Sequence, residues 1–310
     1  MDTSVTVVGL STSDSVSASV INDVPRILDQ VGLLTLDEHS VVRSGPRHRT
    51  YEAVGPGYAT YLGVGTYRGS LESLRRQLRN LAESHGFDGT LSAVETMVDP
   101  QQPRLVVFDT DSTLITQEVI DELARYAGRE HEVAEVTEAA MSGEIDFETS
   151  LRRRVKALAG LPVSVFDEVV QNITFTAGAY ELVRALHDRG HTVATVSGGF
   201  MEILEPLADL IGLDHARANR LEVAGGKLTG DLRGPVITPE VKRETLQEWA
   251  TLAGISLVDT VAIGDGANDV LMVKDAGLGV AFRAKDPLRQ VADAEVNVAR
   301  LDAVRHLLGV

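Results

Sequence analysis

The chain has 310 residues, 44% of them hydrophobic, with a formal net charge of −16 and no cysteine. That length allows two domains of ordinary size and a sizeable core. The absence of cysteine excludes disulfides and thiolate metal sites and fits a reducing compartment. Such an acidic body disfavours nucleic acid, whose phosphates want a basic face. The start, MDTSVTVVGL, has no basic segment ahead of a long apolar one, and no apolar run nears the ~20 residues that span a bilayer. The expectation is a soluble cytoplasmic protein with neither a membrane nor a nucleic-acid partner.

The N-terminal part reads as strand 5–10, a helix over 16–31 with Pro25 inside it, strand 33–42, strand 58–67, helix 71–84 and strand 90–97. Gly45-Pro46 and Gly55-Pro56-Gly57 mark a loop between the second and third of these strands. The order β-α-β-β-α-β is ferredoxin-like, and in order and length it resembles an ACT domain, a small-molecule-sensing module. That resemblance implies an amino-acid effector, while the turn Ser11-Thr12-Ser13-Asp14-Ser15 lacks the glycine such modules often carry there. A packing or dimerisation module is the equal alternative, and a homodimer is expected. The expected bounds are 1–98 for this domain, a proline-bearing linker over 99–103, and a second domain over 104–310.

The second domain begins with RLVVFDTDSTLIT. Leu105, Val106, Val107 and Phe108 form an unbroken apolar run, as in a parallel strand buried on both faces, and the run stops at Asp109 and Asp111. Helices follow over 118–126, 132–141, 147–158 and 165–170, an insertion placed as a lid or cap over about 118–176. Regular α/β alternation comes next. Helix 178–189 leads to strand 192–196, which ends in Ser197-Gly198-Gly199, and helix 200–211 follows. A hairpin over 220–232 turns at Gly225-Gly226. Thr238 and Pro239 start a helix that runs to Ala253. Strand 260–263 ends in Gly264-Asp265-Gly266-Ala267-Asn268-Asp269, and strands 277–282 and 295–299 and a helix over 301–308 complete the chain.

Three apolar strands thus end in polar clusters, and a parallel sheet brings such ends to one edge, where ligands bind. The residue types suit phosphoryl transfer. Asp109 can attack phosphorus as a carboxylate, and Asp111 can protonate the leaving oxygen and later take a proton from water. Asp109 and Asp265 can share Mg²⁺. Ser197 and the Gly198 N–H can donate to phosphate oxygens, and Lys242 adds a point charge. Asp109, Asp111, Glu118, Asp265 and Asp269 are set against Lys242 and Arg154, so a phosphate dianion needs a divalent cation to enter.

FDTDST, SGG, the following lysine and GDGAND, in that order, resemble the haloacid-dehalogenase superfamily of phosphatases, and more closely its phosphoserine phosphatases. The resemblance covers the chain from about Leu105 to the C-terminus and includes Ala218-Asn219-Arg220-Leu221. It implies a Rossmann-like parallel sheet with a helical cap after the first strand. It also implies hydrolysis of O-phospho-L-serine through an aspartyl-phosphate, with Asp109 as nucleophile and Asp111 as general acid/base. Mg²⁺ would be held by the Asp109 carboxylate, the Asp111 carbonyl and Asp265, with Asp269 behind them. Ser197, Gly198, Lys242 and Asn268 would hold the phosphate. In the lid, Glu118 would take the substrate ammonium and Arg154 its carboxylate, with Met141 and Phe147 lining the pocket.

Plainer readings stand beside these. Glu118 can simply favour its helix's first turn, Arg154 can belong to a solvated run with Arg152 and Arg153, Met141 and Phe147 can be lid core, and Lys242 can be a surface lysine. Other whole-chain readings are a phosphatase or phosphotransferase for another small phosphate such as phosphohomoserine, a signalling protein phosphorylated on Asp109, or an amino-acid-binding regulator.

Overall fold

The computed structural model describes residues 2–11, 24, 28, 33–44, 58–84, 90–95 and 102–310. Four N-terminal strands, β1 (Asp2–Ser11), β2 (Leu33–Ser44), β3 (Tyr58–Arg68) and β4 (Thr90–Glu95), form a sheet in the order β2-β3-β1-β4. The pairs β1–β3, β1–β4 and β2–β3 are antiparallel. Helix α1 (Leu71–Ser84) has the bounds its leucine spacing predicts. Most of the expected helix over 16–31 lies outside the described residues, as do the loop over 45–57 and linker positions 99–101. Val24 and Leu28 are helical and pack with Leu74 and Leu78. This is the ferredoxin-like order that the sequence pattern leads one to expect.

Alternation along β1 gives the small sheet two apolar faces. Val5 and Val7 meet α1, whereas Val8 and Leu10 join Tyr58 and Val94 in the core of the larger domain. Polar contacts close the seam. Arg75 pairs with Asp293, Arg79 lies 2.7 Å from Glu295, and Thr90 donates to the Glu295 carbonyl at 3.0 Å.

The larger sheet contains β5 (Leu105–Phe108), β6 (Thr192–Phe200), β7 (His215–Asn219), β10 (Thr260–Gly264), β11 (Leu278–Phe282) and β12 (Ala294–Val296). Its order is β12-β11-β10-β5-β6-β7 and every pairing is parallel. On β5, Val106 and Phe108 face one core while Leu105 and Val107 face the other, and all four are fully buried. The unbroken apolar run is therefore what a central strand covered on both faces requires.

The cap consists of α2 (Val119–Ala127), α3 (Glu130–Met141), α4 (Phe147–Ala157) and α5 (Val165–Asn172). Helices α6 (Ala179–His187), α7 (Met201–Ile211) and α8 (Pro239–Ala253) cover the sheet, and β8 (Leu221–Ala224) and β9 (Lys227–Leu232) form the small hairpin. Short helices α9 (Val270–Asp275) and α10 (Asp286–Arg289) flank β11, and a 3₁₀ turn over Leu301–Val304 leads into α11 (Arg305–Leu308).

Several expectations are refined. The sixth strand does not stop at Val196 but runs to Phe200, because Phe200 finds Asn219 as a partner after an irregularity over the intervening residues. Strand β7 and helices α9 and α10 are additions; each is too short to show a periodic pattern. The expected helix over 301–308 is broken into the 3₁₀ turn and α11.

Candidate active site

The main chain of β5 carries its pairing one residue further, with the Asp109 N–H donating to the Ile263 carbonyl at 2.8 Å. That bond fixes Asp109 at the sheet edge between β10 and β6. The chain then turns sharply over Thr110–Leu114, with Ser112 in the left-handed region at φ 57°. Thr195 ties this turn down from β6, donating to the Phe108 carbonyl at 3.0 Å and meeting Thr110 Oγ1 at 2.8 Å.

Lys242 arrives from α8, which starts as its Thr238-Pro239 pair directs, with Thr238 accepting from the Val241 N–H. It lies in the buried stripe of that helix with Thr245, Leu246 and Trp249, so the surface-lysine reading is set aside. Its Nζ donates to Asp109 Oδ1 at 2.5 Å and to Asp269 Oδ1 at 2.8 Å. The other oxygen of Asp269 accepts from the N–H groups of Asp265 (3.2 Å) and Gly266 (3.1 Å). Asp269 thus clamps the GDGAND loop to the lysine.

Asp109, Asp265 and Asp269 each bring a carboxylate oxygen within 4.8 Å of the others. Three acids against one ammonium leave an excess of negative charge in a buried place. Burial, then Asp269, pushes Asp109 well above the ordinary carboxylate range against the pull of Lys242. Burial and Asp269 likewise raise Asp265 to about 6. Burial, then Glu118, raises Asp111 to about 8, while the Val119 N–H at the start of α2 donates to it at 3.3 Å. Lys242 is held above its ordinary value, because Asp109 and Asp269 outweigh its burial. This donor set fits a hard divalent cation, which would relieve the crowding of carboxylates.

A cleft of about 550 Å³ opens above these groups. Asp109, Asp111, Asp265 and Asn268 form its floor, Gly198 and Gly199 one wall, and Glu118, Phe147 and Arg154 its cap side. Glu118 accepts from Ser112 Oγ at 2.7 Å, and Arg154 has a buried Nε with no hydrogen-bond partner among the described residues. Phe147 covers the glycine turn so closely that a Cβ on Gly198 would lie 3.3 Å from its ring. Ser197, Lys242 and Asp269 are buried just behind the cleft surface.

Met141 is not brought in. It is 71% exposed and lines a separate groove between α2 and α3 with Arg125 and Thr137. It lies outside the cleft in this arrangement, because α3 stands out from the cap with Val133 as its one buried residue. Sequence reasoning gave no individual role to Ile120, Leu151, Gly199 or Lys285, which also line the cleft. Leu151 was legible as the position one helical turn from Phe147 and Arg154. Gly199 was legible as the second glycine of SGG, and no local signal marks Lys285.

The sequence model of the haloacid dehalogenase-like hydrolases matches residues 106–274. A phosphoserine phosphatase from Streptomyces coelicolor is 48% identical over 239 residues, 77% of this chain and 58% of that protein, so the chain spans little more than half of that relative. Among solved structures, a phospho-aspartyl intermediate analogue of phosphoserine phosphatase is 47% identical with a TM-score of 0.62, over 65% of this chain and 97% of that one. A probable phosphoserine phosphatase from Vibrio cholerae, unliganded, is 32% identical with a TM-score of 0.72, over 99% of this chain and 86% of that one.

Proposed function

We propose that this chain, which belongs to the haloacid dehalogenase-like hydrolases and within them to the phosphoserine phosphatases, hydrolyses O-phospho-L-serine to L-serine and inorganic phosphate. The observation that carries this reading is the meeting of Asp109, Lys242, Asp265 and Asp269 at one edge of the parallel sheet.

An Asp109 oxygen attacks phosphorus, the bond from phosphorus to the serine oxygen breaks, and Asp111 gives its proton to that departing oxygen. Burial and then Glu118 push the Asp111 carboxyl upward, the direction that suits a general acid. Serine leaves and Asp109 carries the phosphoryl group. Asp111, now a carboxylate, takes a proton from water as the water oxygen attacks phosphorus, which frees Asp109 and releases phosphate. Ser197, the Gly198 N–H, Lys242 and Asn268 hold the phosphoryl oxygens. Asp109, the Asp111 carbonyl and Asp265 would hold Mg²⁺, with Asp269 supporting from behind; when bound, it neutralises charge on the phosphoryl group.

Glu118 and Arg154 face the cleft from the cap with opposite charges, which suits a zwitterionic amino-acid head. The Arg154 Nε, without a partner among the described residues, supports a carboxylate there. Phe147 packs over the head group. A first domain over 1–98, a linker over 99–103 and a second domain over 104–310 with its cap over about 118–176 are part of this proposal. An ACT-like amino-acid site in the first domain, a homodimer and a cytoplasmic location belong to the same proposal. Among the described residues no helix is long and apolar enough to cross a membrane.

The test is phosphate release from phosphoserine with and without Mg²⁺, for the wild type and for Asp109→Asn. Multiple turnover that needs Mg²⁺ and vanishes in the variant is expected. Turnover that persists in Asp109→Asn refutes the mechanism, and a stable phosphoprotein without phosphate release favours a signalling role.

A further inference from the structure

The pairing of β6 with β7 is interrupted at the phosphate-facing turn. Val196 pairs with Arg217, and the next partners are Phe200 and Asn219. Four steps along β6 are matched by two along β7, so Ser197, Gly198 and Gly199 bulge out of the ladder toward the cleft. Buried backbone groups in such a bulge need partners from elsewhere.

Asn219 supplies one with its side chain. It is 2% exposed, and its Nδ2 donates to the Gly198 carbonyl at 2.8 Å while its Oδ1 accepts from the Ile237 N–H at 2.8 Å. Donor and acceptor are both engaged, in opposite senses, so the amide orientation is determined. The Gly198 carbonyl shares a peptide plane with the Gly199 N–H, and that N–H donates to Ser197 Oγ at 2.8 Å. Fixing the carbonyl therefore fixes the N–H, which occupies a lone pair of the Ser197 hydroxyl and leaves its proton available to another acceptor. Ile237 directly precedes Thr238, the N-cap of the helix that carries Lys242.

We propose that Asn219 is a positioning residue for the phosphoryl site, acting through the Gly198–Gly199 peptide to orient the Ser197 hydroxyl. The proposal rests on the phosphatase reading above. Asn219 faces the back of the turn and touches no substrate; its effect is to make the bulge rigid, so that Ser197 donates without first paying the entropy of ordering its own loop.

Asn219→Asp keeps the acceptor for Ile237 but sets an oxygen against the Gly198 carbonyl, and Asn219→Ala removes both bonds. With Mg²⁺ and phosphoserine, Asn219→Asp is expected to lower kcat/KM about tenfold to a hundredfold, the scale of a ~1 Å misplacement. Its melting temperature should fall less than that of Asn219→Ala. The decisive measurement is the double variant with Ser197→Ala, which should be no slower than Ser197→Ala alone. Full additivity overturns the proposal, as does Asn219→Asp within twofold of wild type. So does a loss confined to the yield of folded protein in both single variants. If the wild type itself fails to turn over phosphoserine, it is the phosphatase reading that falls.

Discussion

Lys242 and Asp109 are separated by 133 positions in sequence, and their charged atoms lie 2.5 Å apart with neither side chain open to solvent. A buried ion pair of this kind stands only when every charge in it is compensated. Lys242 therefore has a structural task, bridging Asp109 and Asp269, as well as a chemical one. Lys242→Met leaves two carboxylates facing each other in the core. It should abolish turnover and cost about 3–5 kcal/mol of stability, read from urea unfolding without metal. A variant as stable as wild type would show that the pair is not the clamp described here.

Metal removal gives a related expectation. Asp109 and Asp265 are both raised by burial and by Asp269, so a divalent cation binding among them should stabilise the fold. Mg²⁺ should raise the melting temperature of the wild type, and Asp265→Asn should blunt that rise and the dependence of turnover on metal. Full turnover in excess chelator would rule out the cation.

Gly264 is needed for space. A Cβ there would lie 2.4 Å from Asp269 Oδ2, the oxygen that accepts from the N–H groups of Asp265 and Gly266. Gly264→Ala should push the Asp269 carboxylate off the loop, destabilise the fold by about 1–3 kcal/mol and depress turnover. Activity equal to wild type would mean that the loop has room to shift.

The opposed charges of the cap predict a split between substrates. Glu118→Gln and Arg154→Ala should raise KM for phosphoserine at least tenfold, the loss of about 1.4 kcal/mol of binding, with little change for an alkyl phosphate lacking the amino and carboxyl groups. Equal effects on both substrates would assign these residues to the cap's architecture instead.

His306 sits where the two sheets meet, its ring edge-to-face with Tyr58 and its Nε2 3.3 Å from the Tyr58 hydroxyl. Burial, and then Arg305, pull it down from 6.5 to about 4. Between those values the unfolded chain binds a proton that the folded one refuses. Its contribution to stability is complete above about pH 6.5 and is lost as pH falls toward 4. At pH 5 the loss relative to pH 7 is up to about 2 kcal/mol. Asp111 and Asp265, raised in the fold, act in the opposite sense, so the measure is the difference between wild type and His306→Gln. The variant should lose less stability from pH 7 to pH 5; identical losses would remove His306 from the account.

The elements carrying the chemistry were legible because their signals are local. An apolar run that ends in Asp109 and a Thr238-Pro239 helix start each reflect contacts within a few residues, whereas the burial of Lys242 beside Thr245, Leu246 and Trp249 appears only in the folded chain. The parallel topology then had to gather the strand ends, since strands buried on both faces leave few arrangements. Met141 lies away from the cleft in this structure because a cap helix's position depends on how whole helices stack, and no pattern within α3 encodes it.

What the chain's order of residues determined alone was the set of elements, the acidic strand ends and the surplus of negative charge that asks for a cation. What only the tertiary structure decided was which groups meet across long separations. Asn219 bridging the bulge, Lys285 at the cleft and the small sheet docking through Val8, Leu10 and Glu295 all lie in that class. These contacts join segments whose separation in sequence carries no periodic trace, so they exist only once the layers have packed.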